Sequence, residues 1–169
     1  MSVEIIVRAH YMAYAKEFKR INEDCNSIHF WLKESDINVL SDPQKYILDQ
    51  GGNVFIALLN GEPVGTCVLI VKDIFTCELA KMSVDFDARG RGIGYLLGAA
   101  LIKKVRERGF SRIMLKGNKK IAASISLFRK LGFEEIYHAD IDQKDPEQTG
   151  CTIFMELRLN PAIQSEFYI

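Results

Sequence analysis

The stretch Met82-Ser83-Val84-Asp85-Phe86-Asp87-Ala88-Arg89-Gly90-Arg91-Gly92-Ile93-Gly94-Tyr95-Leu96-Leu97 runs from a strand-like segment through a glycine-rich turn into an amphipathic helix. A backbone makes an anion cradle in this way. Glycines at alternate positions let successive N–H groups point at one phosphate cluster, and the helix start adds a partial positive charge from its unpaired amides. Arg89 and Arg91 set two full charges beside it. An ordinary strand-to-helix turn also uses glycine for positive φ. Two arginines interleaved with the glycines, and a helix following at once, favour a phosphate-bearing ligand.

Spacing narrows the ligand. A dinucleotide fingerprint needs G-x-G-x-x-G, but from Gly90 and Gly92 the third glycine falls on Tyr95, and from Gly92 and Gly94 on Leu97. A P-loop needs a second glycine followed by Lys-Ser/Thr, and the positions five beyond Gly90, Gly92 and Gly94 are Tyr95, Leu97 and Ala99. What fits is Arg-x-x-Gly-x-Gly, met by Arg89, Gly92 and Gly94. Upstream lies Glu78-Leu79-Ala80-Lys81-Met82-Ser83-Val84, downstream Leu127-Phe128-Arg129-Lys130-Leu131-Gly132-Phe133, and the chain opens with Ile5-Ile6-Val7-Arg8-Ala9. In this order, over nearly the whole chain, these segments resemble the GNAT superfamily of acyl-CoA-dependent N-acyltransferases: its fourth strand, its pyrophosphate turn, the end of a later helix and its first strand.

The resemblance implies an α/β fold of α+β character spanning 1–169 as a single domain. Its central sheet is mixed and mostly antiparallel, with splayed strands and flanking helices. It also implies acetyl-CoA as acyl donor, and transfer of the acyl group by direct attack of a primary amine on a small molecule or peptide. The alternative is a module that keeps the acyl-CoA cradle and has lost or weakened the transfer chemistry.

Composition is compatible with this. At 169 residues the chain suits one core, burying about 70% of its unfolded surface without staples. Lys plus Arg and Asp plus Glu both number 22, so no global field draws it onto nucleic acid or an anionic membrane. No apolar run approaches the roughly 18 residues that span a bilayer, and Met1-Ser2-Val3-Glu4 carries neither a basic n-region nor a signal core. A cytoplasmic monomer or homodimer is expected. Cys25, Cys67, Cys77 and Cys151 lack C-x-x-C spacing and sit in apolar settings, as reduced core residues do. His10, His29 and His138 form no paired motif, so no metal site is expected.

Periodicity predicts a strand over 3–8 and a helix over 10–24, with Tyr11, Tyr14, Ala15, Phe18 and Ile21 on its apolar face. Residues 28–32 form an irregular aromatic segment. Asp42-Pro43 reads as N-cap and N1 of a helix that stops at Gly51-Gly52. Strands over 53–59 and 63–71 are joined by Asn60-Gly61-Glu62, a tight-turn signal, and a third strand covers 74–84. A helix over 92–108 closes at Gly109, a short strand covers 111–116, and a second helix over 120–131 ends at Gly132. Strands over 133–141 and 151–159 flank a polar loop, giving a mixed α/β sheet.

Amine acylation needs a donor held still, a deprotonated amine and stabilisation of charge on the carbonyl oxygen. The Arg89, Gly90, Arg91, Gly92, Ile93, Gly94, Tyr95 turn grips the pyrophosphate. The resemblance implies that Met82, Ser83 and Val84 present backbone groups along the pantetheine arm, with the Val84 amide as oxyanion donor. It places a catalytic glutamate at Glu78, eleven residues before Arg89. Alternation along a regular strand sets Glu78, Ala80, Met82 and Val84 on one face. The competing reading of Glu78 is a carboxylate that pairs with a neighbouring lysine. Phe128 stands where the family carries a tyrosine that protonates the departing thiolate; it has no proton to give, and Ser124, Ser126 or Tyr137 are substitutes to consider. Asn118, with Lys119 or Lys120, is a candidate for the far end of the cofactor, or a capping Asn beside solvated lysines. Phe30, Trp31 and Tyr46 are candidates for the acceptor side. Residues 145–149 lack the aromatics that many relatives place before the last strand.

Overall fold

The computed structural model describes residues 2–8, 12–29, 34–136 and 152–160, apart from the side chains of 7, 8, 12, 25–29 and 34–36. Seven strands form one sheet: β1 (Val3–Arg8), β2 (Asn53–Leu59), β3 (Glu62–Val71), β4 (Thr76–Val84), β5 (Arg112–Asn118), β6 (Glu134–Ile136) and β7 (Thr152–Arg158). Their order is β1-β2-β3-β4-β5-β7-β6, antiparallel throughout except between β4 and β5. Among the described residues, four α-helices flank it: α1 (Ala15–His29), α2 (Glu34–Ser41), α3 (Ile93–Glu107) and α4 (Ala122–Lys130). Among the described residues, no helix is long and apolar enough to cross a membrane.

Two apolar layers cover the two faces. On one, Ile93, Leu97, Leu101 and Val105 of α3, with Ile125 and Phe128 of α4, bury the inward residues of β2 to β5 and β7. On the other, Phe18 of α1, Leu40 of α2 and Ile47 cover Val54, Ile56, Leu58 and Val68. The two faces alternate along the strands, as the pleat requires, except where the register shifts in the β2–β3 and β3–β4 pairs.

Local chemistry explains most boundaries. Asn60 (φ 52°) and Gly61 (φ 85°) make the two-residue turn between β2 and β3, as the sequence predicts. At the end of α4, Gly132 takes φ 99° and the Phe133 amide reaches back to the Phe128 carbonyl at 3.0 Å, closing the helix. Asp42 caps as expected, its Oδ1 accepting the Lys45 amide at 3.1 Å. The segment it opens is a single π-type turn, Gln44–Leu48, and α2 precedes it where no helix was expected. β6 begins one residue after its predicted start and β7 ends one residue before its predicted end, and the rest of the predicted reach, 137–151, lies outside the described residues.

Gly52 turns the chain from Ile47 into β2 beneath β3. A Cβ there would overlap the Leu69 carbonyl oxygen and lie 2.9 Å from the Ile47 carbonyl oxygen, both immovable backbone. Gly52→Ala is therefore expected to destabilise the protein by about 2–3 kcal/mol in urea unfolding, the cost of overpacking. Unchanged stability would mean that this corner is looser than described.

Candidate functional site

β4 and β5 are hydrogen-bonded partners over only three rungs, Thr76 with Arg112, Cys77 with Ile113 and Glu78 with Met114. Beyond Glu78 the two parallel strands part, β4 running on to Val84 and β5 to Asn118, where β5 is still paired with β7. The sheet thus opens as a fork. Such a fork leaves a row of strand backbone without sheet partners on its inner edge.

A bulge decides which backbone groups line it. Val68 lies opposite Ala80 and Thr66 opposite Ser83, two residues apart on β3 and three on β4, with Lys81 in the left-handed region at φ 50°. The extra residue reverses alternation beyond it. Ser83 therefore shares the α1 face with Glu78 and Ala80, its hydroxyl donating to Asn22 Oδ1 at 3.2 Å. Met82 and Val84 turn to the α3 layer, and Met82 Sδ lies 4.0 Å from the position a Gly94 Cβ would take. This corrects the single-face arrangement of Glu78, Ala80, Met82 and Val84. The Asp85 amide donates to the Val64 carbonyl at 2.8 Å, so Asp85 and Ser83 turn their amides toward β3. The Val84 amide consequently points into the fork, whereas the Ser83 amide does not.

After β4, a 3-10 turn (Phe86–Ala88) leads into the glycine segment. Gly90 (φ 75°) and Gly92 (φ 76°) adopt the left-handed conformation, the use of glycine that an ordinary strand-to-helix turn also makes. Gly92 is the N-cap of α3, with no side-chain cap and no acidic residue in the first turn, so the Ile93, Gly94 and Tyr95 amides face outward. Gly94 has a different reason for being glycine: its Cβ would stand 2.9 Å from Leu127 Cδ2, so it permits close approach of α4. Arg89 and Arg91 are exposed. Arg89 Nε donates to the Val84 carbonyl at 3.1 Å, and its guanidinium lies 5.6 Å from the centre of the Phe86 ring.

Glu78 occupies the last paired rung below the fork, on the α1 face. Its side chain is 15% exposed and Oε2 meets Lys72 Nζ at 2.6 Å, the lysine pairing that was the alternative to a catalytic role. Phe128 is 7% exposed and packs edge-on against Phe133, ring centroids 6.2 Å apart. Asn118 Oδ1 accepts the Lys120 amide at 2.9 Å, closing the turn that precedes α4, whose own N-cap, Ile121, makes no side-chain cap bond. Lys119 and Ser126 line a cavity of about 760 Å³ with Arg129, Lys130 and Glu135, a surface with three basic side chains. Ser124 is half-buried in the first turn of α4, and Tyr46 is exposed with Lys45 Nζ 5.1 Å from its ring centre. Phe30, Trp31, Tyr137 and 145–149 lie outside the described residues.

Several groups escaped sequence reasoning. A second cavity, of about 390 Å³, lies between α1 and the end of β4 and shares Val84 and Arg89 with the fork region. Across it Arg20 grips Asp85 through two bonds of 3.1 and 3.0 Å, and that bond first of all raises the Arg20 pKa. Asn22 is wholly buried at a position four residues from Phe18, on the stripe that apolar spacing assigns to the core; that placement was the available signal. Of the thiols among the described residues, burial pushes Cys77 up to about 12 and Cys67 higher still. Among the described residues, no cluster of His, Cys, Asp and Glu could hold a metal ion.

Residues 10–133 match the acetyltransferase (GNAT) family. The chain belongs to that family. N-acetylaspartate synthetase of Danio rerio is 31% identical over 99 residues, which are 57% of this chain and 35% of that protein. The chain thus spans about a third of the length of the curated relatives it matches first. Among solved structures, a GNAT acetyltransferase of Staphylococcus aureus superposes with a TM-score of 0.78 at 24% identity, covering 93% of this chain and all of the other. An acetyltransferase of Salmonella typhimurium, solved with its cofactor acetyl-CoA, gives 0.69 at 22% identity, covering 93% and 95%. The mixed α/β architecture with its mostly antiparallel seven-stranded sheet is the fold of these proteins.

Proposed function

We propose that this GNAT domain, spanning 1–169, transfers an acyl group, most simply acetyl, from acyl-CoA to the primary amine of a small molecule or peptide. The observation that carries the reading is the continuity of fork and cradle. The inner edge of β4, with the Val84 amide, leads directly to an uncapped helix start flanked by two arginines. A pantetheine arm is a chain of amides that suits an unpaired strand edge, and a pyrophosphate suits helix N-terminal amides. The relative's name, N-acetylaspartate synthetase, makes a small amino acid the acceptor to try first.

In this reading the amides of Ile93, Gly94 and Tyr95 bind the pyrophosphate, with Arg89 and Arg91 adding charge. The Val84 amide stabilises negative charge on the acyl carbonyl oxygen as the amine attacks, the contribution of an oxyanion donor. Glu78 draws the acceptor's ammonium toward the fork and takes its proton, directly or through water. Asn118 and the Lys119 surface stand toward the far end of the cofactor, and Phe128 supplies an apolar packing surface. Its lack of a hydroxyl leaves the thiolate, with an ordinary thiol pKa near 8.5, to depart without proton donation from this position.

One observation favours the second reading, a binding module without efficient transfer: Glu78 is already engaged by Lys72 at 2.6 Å. Amine-dependent release of free thiol from acetyl-CoA, assayed across amines and amino acids, separates the two. Binding of acetyl-CoA without such release supports the module.

Arg89→Ala is expected to weaken acetyl-CoA binding by about 1.5–3 kcal/mol in calorimetry, the size of a charge-assisted contact. Unchanged affinity would remove Arg89 from the cradle. Glu78→Gln preserves shape and deletes the base, so turnover is expected to fall by about 100-fold with acetyl-CoA affinity kept. Turnover equal to wild type would exclude Glu78 from the mechanism.

A further inference from the structure

We infer that Asn22 is a positioning residue for acyl transfer, acting through Thr66 and Ser83 to hold the β4 bulge that turns the Val84 amide into the fork. The inference rests on the reading of the fork as the acyl-CoA cleft.

The three side chains form one buried polar cluster in otherwise apolar surroundings. Asn22 and Thr66 are fully buried and Ser83 is 6% exposed. Asn22 Nδ2 donates to the Phe18 carbonyl at 2.8 Å and to Thr66 Oγ1 at 3.0 Å, while Asn22 Oδ1 accepts the Ser83 hydroxyl at 3.2 Å. Thr66 in turn donates its hydroxyl to the Lys81 carbonyl at 3.3 Å. The chain of bonds therefore starts on α1, crosses β3 and ends on the bulged residue itself. Buried polar groups with satisfied bonds specify one arrangement, because any other leaves them unpaired at a cost.

Lys81 pays for a left-handed conformation that non-glycine residues avoid. A bulge-free β4, continuing the pairing of Ala80 with Val68, would put Met82 opposite Thr66 on the α1 face and Ser83 among the apolar side chains under α3. Asn22 would then lose its Ser83 partner and face a thioether. The Val84 amide would turn toward β3 instead of the fork. Asn22 thus discriminates between the two registers by requiring a hydroxyl at Ser83, and the bulge delivers that hydroxyl only in the register that opens the Val84 amide.

Thr66→Val removes the hydroxyl at constant shape, and Thr66→Ser keeps it while deleting a methyl group. Both lose packing or a bond, so stability in urea is expected to fall in both. Acetyl-CoA affinity by calorimetry is expected to split them: about 10-fold weaker in T66V, which loses the hydroxyl's bonds to Asn22 and to the Lys81 carbonyl, and within about 2-fold of wild type in T66S. Affinity in T66V equal to wild type, or an equal loss in T66S, overturns the inference. Should T66V fail to fold, Ser83→Ala removes the other bond to Asn22 and is expected to weaken binding likewise; wild-type affinity there overturns it. If the wild-type chain itself binds no acetyl-CoA, the reading of the fork falls and the inference falls with it.

Discussion

The site depends on one insertion of a residue into a strand. β4 carries three residues where β3 carries two, and Lys81 absorbs the difference at φ 50°. From that point every side chain and amide on β4 exchanges direction relative to a regular strand. Ser83 is sent to α1, Met82 and Val84 to α3, and the Val84 amide toward β5. The same segment then parts from β5 after three rungs. Bulge and fork are complementary: an amide turned outward is useful only where the neighbouring strand has moved away.

Much of the scaffold was legible because its signals are local. Asn60-Gly61 selects a tight turn, Gly132 a helix end, and Asp42 a cap, each through backbone conformation or one hydrogen bond. Gly90 and Gly92 were legible for the same reason. Gly94 was not, since the contact with Leu127 that excludes its Cβ joins two helices distant in sequence. The faces of β4 were misread for a related reason. Alternation assumes a regular strand, and nothing within 76–84 marks the bulge; its cause lies in Asn22 and Thr66, far along the chain. α2 was missed because Asp42-Pro43 reads as a beginning, and a cap that opens one turn says nothing about a helix ending just before it.

The electrostatics of the site are local as well. The chain has no net charge, yet the end of β4 gathers Arg20 on Asp85, Arg89 on the Val84 carbonyl, and Arg91 beside the helix start. Arg20 and Asp85 brace the residue that follows Val84 from the α1 side, while Asn22 braces Ser83, the one before it. α1 therefore holds both neighbours of the amide assigned to the acyl carbonyl. Glu78, one strand-length away, is bound to Lys72, so an acceptor ammonium has to compete with an internal one for the same carboxylate.

The central claim is that the fork between β4 and β5 is where acyl-CoA lies, with the Val84 amide at its carbonyl. A crystal structure with acetyl-CoA bound tests it most directly. The pantetheine arm is expected along the inner edge of β4, with a carbonyl oxygen within about 3 Å of the Val84 nitrogen and the pyrophosphate over the Ile93 to Tyr95 amides. Acetyl-CoA seated instead in the basic cavity beside α4, with the Val84 amide unengaged, would contradict it.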